Sequence, residues 1–413
     1  MNAEPAKWRL TPALNLWVSM RMKSLVEKFL SQVPQYTRKR RHARSVWKHG
    51  TARKWANLAT VEIERKLRRI RVKGYPYILF LDPCNYCNLR CPLCATGRND
   101  LGRTQAMLSL EHFQKYFDPF APYLFEVNMH NWGESLLNKQ VYRMIDHAQR
   151  SNVGTNLSSN FVKLSTDDLD SILDCGLEYL IASVDGTTQE TYEKYRVRGN
   201  LECVLENIAE LLRRRNARHS KTPIIEWQFI VMRHNQHQIA DAERLAKKLG
   251  VDLLRFIPVG LPYDASNRIE LAKEWFPTEL KGRTESDGTE QQYAQMNKPS
   301  PCFYLYRSFV INPDGGVSPC CIVPRQETDF ANLSGLDSID VLEIYNNEFY
   351  QSGRALFRDE KSHGHVRTTC DGCDIFGRPP ANPVQRDNDT IQPAASAGFV
   401  ALGDVGLGPK AKS

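Results

Sequence analysis

The sequence predicts an α/β protein whose main domain is a partial parallel barrel of six strand–helix units. From residue 75 to about residue 260, short apolar strand-like segments alternate with amphipathic helix-like segments. The chain has 413 residues, of which 41% are hydrophobic and 25% are charged, so it can build a large core without disulfides. Six such units, joined by right-handed crossovers, curl into a partial barrel more readily than they close one.

The six predicted strands begin with "YPYILFLD", residues 75–82. In a parallel α/β layer, the functional site lies at the carboxyl ends of the strands. Residues that directly follow these segments are therefore the candidates for the site. The other five predicted strands are residues 123–133, 152–160, 179–186, 224–232 and 253–259.

A cysteine-rich stretch, "CNYCNLRCPLC" at residues 84–94, directly follows the first predicted strand. No apolar run is long enough for a transmembrane segment, and the first residues do not have the pattern of a secretory signal. We therefore expect a cytoplasmic protein in a reducing compartment. There, the 11 cysteines of the chain indicate metal ligands or reactive thiols rather than disulfides.

Cys87, Cys91 and Cys94 have the spacing C-x3-C-x2-C, and from about residue 75 to 260 the chain resembles the radical S-adenosylmethionine (SAM) superfamily. The resemblance implies that the three thiolates hold a [4Fe-4S] cluster and leave one iron open for S-adenosyl-L-methionine. Reductive cleavage of SAM would then give methionine and a 5′-deoxyadenosyl radical. It also implies a reductant such as flavodoxin or ferredoxin. The alternative for the loop is half of a zinc site, and Cys84 is expected to be a buried thiol beside it.

Two later segments correspond to SAM-binding segments of the family. "NWGES", residues 131–135, resembles its Gly-Gly-Glu-Pro turn, although Trp132 and Ser135 replace the first glycine and the proline. The resemblance implies that Gly133 and Glu134 hold the SAM ammonium group. Without the preceding strand, a Gly-Glu pair would indicate only a turn.

The third and fourth predicted strands are followed by further candidate residues. "TNLSSN" resembles the family's Thr-Asn-Gly turn, which makes Asn156, Ser158 and Asn160 candidates for lining the SAM or substrate pocket. "SVDGTTQETYEKYRVRGN" resembles a Ser-Val-Asp-Gly segment, and by that resemblance Ser183 and Arg196 meet the SAM ribose or carboxylate. A guanidinium suits a carboxylate because its planar fork donates two parallel hydrogen bonds. The alternative for Arg196 is an exposed basic residue at the start of a helix.

The C-terminal part has a second group of cysteines, which resembles the SPASM/Twitch extension of the same superfamily. No cysteine follows Cys373, so the resemblance implies the shorter Twitch form with one auxiliary [4Fe-4S] cluster. Cys321 is an alternative to its neighbour Cys320, and a zinc site remains an alternative to iron–sulfur. The expected ligands are Cys302, Cys320, Cys370 and Cys373.

The first 73 residues carry 19 Lys and Arg against 4 Asp and Glu, whereas the rest of the chain is net acidic. This basic segment predicts either docking on an anionic surface or an acidic partner, or simply helical packing on its own domain. The predicted division is a helical extension (1–74), the barrel (75–260), a linker (261–299), a small α+β Twitch-like domain (300–376) and a disordered tail (377–413).

For function, the sequence favours an oxidoreductase that uses the radical on a small-molecule or carrier-linked substrate, with the auxiliary cluster as electron acceptor. One alternative is a radical SAM enzyme that modifies a peptide. An alternative of another class is a zinc- or cluster-bearing protein that docks on nucleic acid or membrane. No side chain is predicted to react with the substrate itself.

Overall fold

The computed structural model describes residues 38–262, 265–278, 301–358 and 365–373. The first 37 residues of the predicted helical extension and the predicted disordered tail at 377–413 lie outside the described residues, as does most of the predicted linker. Within the described ranges, no helix has the length and apolarity needed to cross a membrane.

A single sheet of nine strands organises the described chain, in the order β6-β5-β4-β3-β2-β1-β7-β8-β9. The first six strands pair in parallel in chain order, which confirms the predicted partial barrel. The strands are β1 (Ile78–Leu81), β2 (Glu126–Asn128), β3 (Gly154–Ser159), β4 (Tyr179–Ser183), β5 (Ile224–Val231), β6 (Leu253–Pro258), β7 (Ser308–Ile311), β8 (Gly316–Ser318) and β9 (Ala331–Asn332).

Helices occupy the crossovers between the barrel strands and also flank the sheet at both ends of the described chain. Several begin with a side-chain cap, such as Ser165, which forms a reciprocal capping box with Asp168. The helices are α1 (Arg38–His49), α2 (Ala52–Lys66), α3 (Leu110–Phe117), α4 (Val141–Arg150), α5 (Thr166–Asp174), α6 (Gln189–Tyr195), α7 (Leu201–Ala217), α8 (Ile239–Leu249), α9 (Arg268–Trp275), α10 (Tyr304–Arg307), α11 (Val341–Tyr345) and α12 (Glu348–Ala355).

The two faces of the barrel sheet differ in polarity. On β5, Ile225, Trp227 and Phe229 are fully buried in the core beneath the crossover helices. Because side chains alternate along a strand, the intervening positions face the barrel lumen, together with their partners in register on neighbouring strands. Many of these inward positions are polar, whereas closed α/β barrels fill this space mainly with branched apolar side chains. The polar side chains in the lumen suit a polar ligand. The inward residues include Asn128, Asn156, Ser158, Ser183, Gln228 and Arg255.

The C-terminal segment is small and mixed in secondary structure, as predicted, but its strands extend the barrel sheet. β7 pairs in parallel with β1 along its whole length, from Ser308 opposite Ile78 to Ile311 opposite Leu81. The turn at residues 312–315 then reverses the chain, so that β8 and β9 add as antiparallel strands. One continuous sheet therefore connects the first cysteine loop to the second group of cysteines.

The described part of the basic segment packs on its own domain. Ser45 of α1 donates to the Phe125 carbonyl at 2.7 Å, and Lys54 of α2 donates to the Asn152 carbonyl at 2.6 Å. His49 lies 2.9 Å from the Glu178 carboxylate. These acceptors precede β2, β3 and β4, so the two helices cover the amino-terminal end of the barrel. This matches the packing alternative for residues 38–66, while an anionic or acidic partner stays a prediction.

Candidate functional site

The loop that leaves β1 gathers three thiols at the carboxyl end of the barrel. Cys91 is buried, and Cys87 and Cys94 are half-buried. Burial raises the pKa of Cys87 to about 12 and that of Cys91 to about 11, and the charge of neighbouring thiols adds to both shifts. The three side chains therefore lie within electrostatic range of one another, as ligands of one group must.

Nitrogen donors from two other elements approach these thiols. The Asn160 amide nitrogen lies 3.9 Å from the Cys87 sulfur, and an Arg196 guanidinium nitrogen lies 4.0 Å from the Cys91 sulfur. Arg196 also lowers the pKa of Cys91, in opposition to burial. Hydrogen bonds and positive charge at the sulfurs stabilise an iron–sulfur cluster, and ligands must lose their protons to bind metal. The loop therefore fits a cluster with three protein thiolates.

The turn at residues 131–135 packs directly against this loop. A Cβ added at Gly133 would lie 1.8 Å from the Cys84 carbonyl oxygen, so only glycine allows this approach. The Glu134 backbone nitrogen donates to the Tyr86 carbonyl at 2.6 Å. Cys84 is fully buried, as predicted, with its sulfur 3.3 Å from the Glu134 carbonyl.

Glu134 is buried and its carboxylate is held by β3 and the residues that follow it. Burial raises the pKa of Glu134, and the Asn160 backbone N–H, which donates to the carboxylate at 2.8 Å, opposes this shift. The structure thus places Gly133 and Glu134 beside the cysteine loop. Their role towards SAM stays a prediction.

Asn156, Ser158 and Ser183 line the lumen on adjacent strands. The Ser158 and Ser183 hydroxyls are 3.1 Å apart. Asn156 is buried and its side-chain oxygen has no hydrogen-bond partner among the described residues. A buried acceptor without a donor is costly, so this position suits a ligand that brings an N–H or O–H.

Arg196 is already engaged by a carboxylate. Its Nε donates to Asp185 at 2.6 Å, and the other Asp185 oxygen accepts from the Ile230 backbone N–H at 2.6 Å. The guanidinium is therefore fixed between Asp185 and Cys91 and is largely buried, unlike an exposed basic residue at a helix start. Its predicted contact with the SAM ribose or carboxylate stays a prediction.

The four C-terminal cysteines lie close together, although they are far apart in sequence. Burial raises the pKa of Cys302 to about 12 and raises that of Cys320 and Cys370 well above the usual value. Cys373 adds to the shift at Cys302 and Cys370, and Cys320 is affected by both of those thiols. The Cys321 thiol also acts on Cys302 and Cys320, and it lies 3.3 Å from the Tyr304 hydroxyl. Cys320 as the fourth ligand, with Cys321 as its alternative, therefore stays a prediction.

In the described part of the chain, we find no group of three or more His, Cys, Asp or Glu side chains that could hold a single metal ion. In a [4Fe-4S] cluster each thiolate binds a different iron.

Asp82, directly after β1, was missed in the sequence. It is 1% exposed, and one carboxylate oxygen accepts from the backbone N–H groups of Trp132 at 2.8 Å and Gly133 at 3.3 Å. Burial raises the pKa of Asp82 to about 7, despite these donors. Its position at the end of an apolar strand was the available signal. Asp82 connects the first strand to the turn that carries Glu134.

Arg103, which follows the cysteine loop, was also missed. Its fully buried guanidinium donates to Asp314 at 3.0 Å and to Asp329 at 2.7 Å. Both carboxylates belong to the C-terminal segment, more than 200 positions away. No local pattern in the sequence marks such a contact. The ion pairs attach the region after the first cysteine loop to the region that contains Cys320.

These features define a class of protein: a partial α/β barrel with a three-thiol iron–sulfur loop at its carboxyl end and a second thiol cluster on the same sheet. The family model of the Radical SAM superfamily matches residues 81–225, and the model of SPASM, an iron–sulfur cluster-binding domain, matches residues 302–374. The chain therefore carries a radical SAM domain followed by a C-terminal SPASM domain. These domains imply [4Fe-4S] clusters and SAM as its cofactors.

The chain is also similar to individual proteins, in sequence or in fold. The chain is 24% identical over 321 residues to PqqA peptide cyclase of Rhodopseudomonas palustris, covering 73% of this chain and 80% of the relative. The structure of Streptococcus suis SuiB bound to the precursor peptide SuiA is similar in fold, with a TM-score of 0.53 and 12% identity over 79% of this chain and 75% of SuiB. SuiB bound to S-adenosylmethionine gives a TM-score of 0.52 and 13% identity over 79% of this chain and 74% of SuiB.

Proposed function

We propose that this radical SAM enzyme modifies a peptide, and that its C-terminal thiols hold one auxiliary [4Fe-4S] cluster. The observation that carries the proposal is the similarity to a peptide cyclase across 73% of the chain. The sequence alone favoured a small or carrier-linked metabolite, and this similarity favours the peptide alternative instead. An oxidative modification would make the enzyme an oxidoreductase.

The site residues have separate tasks in this proposal. Cys87, Cys91 and Cys94 bind the first cluster, and Glu134 with the neighbouring turn orients SAM at it. When bound, the cluster and SAM would supply the radical chemistry that removes a hydrogen atom from the substrate. Asp185 accepts from Arg196 at 2.6 Å and holds its guanidinium 4.0 Å from the Cys91 sulfur, which keeps a positive charge at the cluster ligands.

Among the described residues the barrel sheet does not close, so its lumen is open on one side. β6 is an edge strand in the sheet order, and its side chains from Leu253 to Ile257 are all partly exposed. Extended peptides bind such edges by adding a strand, with backbone hydrogen bonds giving affinity. Arg255, on this edge strand, donates to Gln228 at 2.6 Å and to Glu226 at 2.5 Å. These side chains give the open side of the lumen polar groups that can contact a peptide backbone.

The auxiliary thiols fit an oxidative modification. A cluster held by four protein thiolates has no open iron, so it would supply an electron acceptor rather than a second SAM site. Forming a crosslink removes two hydrogens from a peptide. One leaves as the abstracted atom, and the other leaves as a proton and an electron, which requires such an acceptor.

The test compares substrate classes in one assay. The anaerobically reconstituted protein is incubated with SAM and dithionite, and 5′-deoxyadenosine is measured with synthetic peptides encoded by short reading frames beside its gene. A parallel series contains sugars and aminocyclitols. We expect one peptide to raise 5′-deoxyadenosine formation and to lose the mass of two hydrogens. Stimulation and product formation with a sugar or aminocyclitol alone would contradict the peptide proposal.

A further inference from the structure

Arg354, on α12, is a fully buried cation with no carboxylate among its contacts in the described residues. It is 0% exposed. The other deeply buried guanidinium groups are each paired: Arg103 with Asp314 and Asp329, Arg196 with Asp185, and Arg215 with Asp252. A buried charge is costly unless an opposite charge compensates it, so Arg354 requires a different explanation.

The contacts of Arg354 are aromatic rings and carbonyl groups. Its guanidinium carbon lies 4.4 Å from the centre of the Tyr345 ring, 5.4 Å from that of Tyr350 and 5.5 Å from that of Tyr306. Nε donates to the Leu305 carbonyl at 2.9 Å, whereas Nη2 has no hydrogen-bond partner among the described residues. Ring faces and carbonyl dipoles stabilise a cation, but they do not neutralise it.

The same contacts lead to the auxiliary thiols. The Leu305 backbone N–H lowers the pKa of Cys302, in opposition to burial, while the Leu305 carbonyl accepts from Arg354. On the other side, a Cβ added at Gly353 would lie 3.6 Å from the Cys370 sulfur. Tyr345 lies within electrostatic range of both Arg354 and Cys302. Arg354 is thus a buried cation whose contact Leu305 and chain neighbour Gly353 lie beside two of the proposed cluster ligands, Cys302 and Cys370.

We propose that Arg354 is the charge partner of the auxiliary cluster and raises its reduction potential. This inference rests on the proposed function, because it requires a cluster at Cys302, Cys320, Cys370 and Cys373. A cluster with four thiolates is negatively charged, and taking up one electron makes it more negative. A positive charge in a dry site favours that reduced state, and net charge is among the factors that set cluster potentials. In this proposal Arg354 acts through the charge of the cluster and not on the substrate.

The test is a redox titration, followed by electron paramagnetic resonance, of the full-length reconstituted protein. The Cys87, Cys91 and Cys94 triple alanine variant is titrated in parallel to assign the signal of the C-terminal cluster. The variants are Arg354→Gln, which removes the charge, Arg354→Lys, which keeps it, and Arg358→Gln, an exposed control on the same segment. We expect Arg354→Gln to shift the one-electron equilibrium at least tenfold towards the oxidised cluster, a fall of about 59 mV. Arg354→Lys should shift it less, and Arg358→Gln should not shift it.

A second variant adds an anion instead of removing the cation. The Asn346 side-chain oxygen is 3.5 Å from Arg354 Nη1, so Asn346→Asp places a carboxylate beside the guanidinium in a nearly isosteric side chain. We expect it to lower the potential in the same direction if Arg354→Gln does not fold. Iron content and the melting temperature are measured for every variant.

The two proposals fail in different ways. If the wild-type protein binds zinc or no metal at the C-terminal cysteines, the auxiliary-cluster part of the proposed function is wrong. If wild type and the folded variants retain iron there, but the midpoint potential stays unchanged, the charge-partner inference is wrong and the cluster assignment stands.

Discussion

Asp82 is the carboxyl group through which the first strand holds the turn that carries Glu134. Because its pKa is raised from 3.8 to about 7, the folded protein binds a proton there that the unfolded chain has released at the same pH. Its contribution to stability is therefore present below about pH 4 and is lost as the pH rises through about 7.

The Asp82→Asn variant tests this pH dependence. The melting temperatures of wild type and variant are measured from about pH 4 to about pH 8. We expect wild type to lose stability relative to the variant as the pH rises, since the asparagine cannot ionise. A constant difference between the two proteins across that range would show that burial does not raise the Asp82 pKa.

Substitutions in the two groups of cysteines should have different effects on SAM cleavage and product formation. Cys91→Ala should abolish 5′-deoxyadenosine formation because the first cluster loses a ligand. Cys373→Ala should leave some SAM cleavage but no modified product, since only the auxiliary site is damaged. Cys203→Ala, at a half-buried thiol on α7, is the matched control and should leave both activities intact. Full cleavage by Cys91→Ala would remove Cys91 from the ligand set.

Gly133 tests whether close backbone packing positions the first cluster. In Gly133→Ala the new Cβ would lie 1.8 Å from the Cys84 carbonyl, so either the turn or the cysteine loop must shift. We expect reduced iron at the first cluster and weaker SAM binding, measured by iron analysis and calorimetry. Gly260→Ala, where an added Cβ meets nothing within 4 Å, should retain both. Equal iron and equal affinity in the two variants would exclude this role.

At the scale of elements, Arg103 attaches the cysteine-loop region to the hairpin of β7 and β8 and the residues after it. Removing one partner of a buried ion pair leaves an uncompensated charge and costs about 3–5 kcal/mol. Arg103→Gln should therefore lower the free energy of unfolding by that amount and increase SAM cleavage without product. Arg150→Gln, at an arginine whose side chain is 79% exposed, should change neither. Unfolding curves and the ratio of 5′-deoxyadenosine to modified peptide measure both effects.

The strands that the sequence predicted best are those with long apolar runs. β4, β5 and β6 begin at the predicted residues, whereas the prediction of residues 123–133 for the second strand was too long. β2 ends at Asn128 because the chain then turns towards Asp82 and the cysteine loop. That turn is set by contacts with residues some 50 positions earlier, which a local pattern does not contain.

In the candidate site, too, the sequence predicts the local features but not the contacts between distant residues. The cysteine spacing is local, so the sequence alone predicts the first loop. Asp82, Arg103 and Arg354 act through partners on other elements, up to 284 positions away for Arg354 and Ile70. Burial and the lack or presence of a counter-charge identify such residues, and these are properties of the folded chain.

At the scale of the whole molecule, the metal content of the protein tests both proposed cluster sites together. After anaerobic reconstitution, wild type should contain about eight irons and the triple alanine variant of Cys87, Cys91 and Cys94 about four. Sulfide should follow iron in both proteins. About four irons with one zinc in wild type would make the C-terminal site structural and would remove the proposed electron acceptor.

The pairing of β7 with β1 fixes the relation between the two thiol sites. Cys87 follows the end of β1 and Cys302 precedes the start of its parallel partner β7, so each thiol site adjoins a strand of the same pair. A ladder of backbone hydrogen bonds, over a four-residue length of roughly 13 Å, therefore joins the two sites. Substrate binding cannot bring the sites together by hinge closure without breaking that ladder. Electron transfer between the lumen and the C-terminal thiols would thus occur over a path whose length is established when the protein folds.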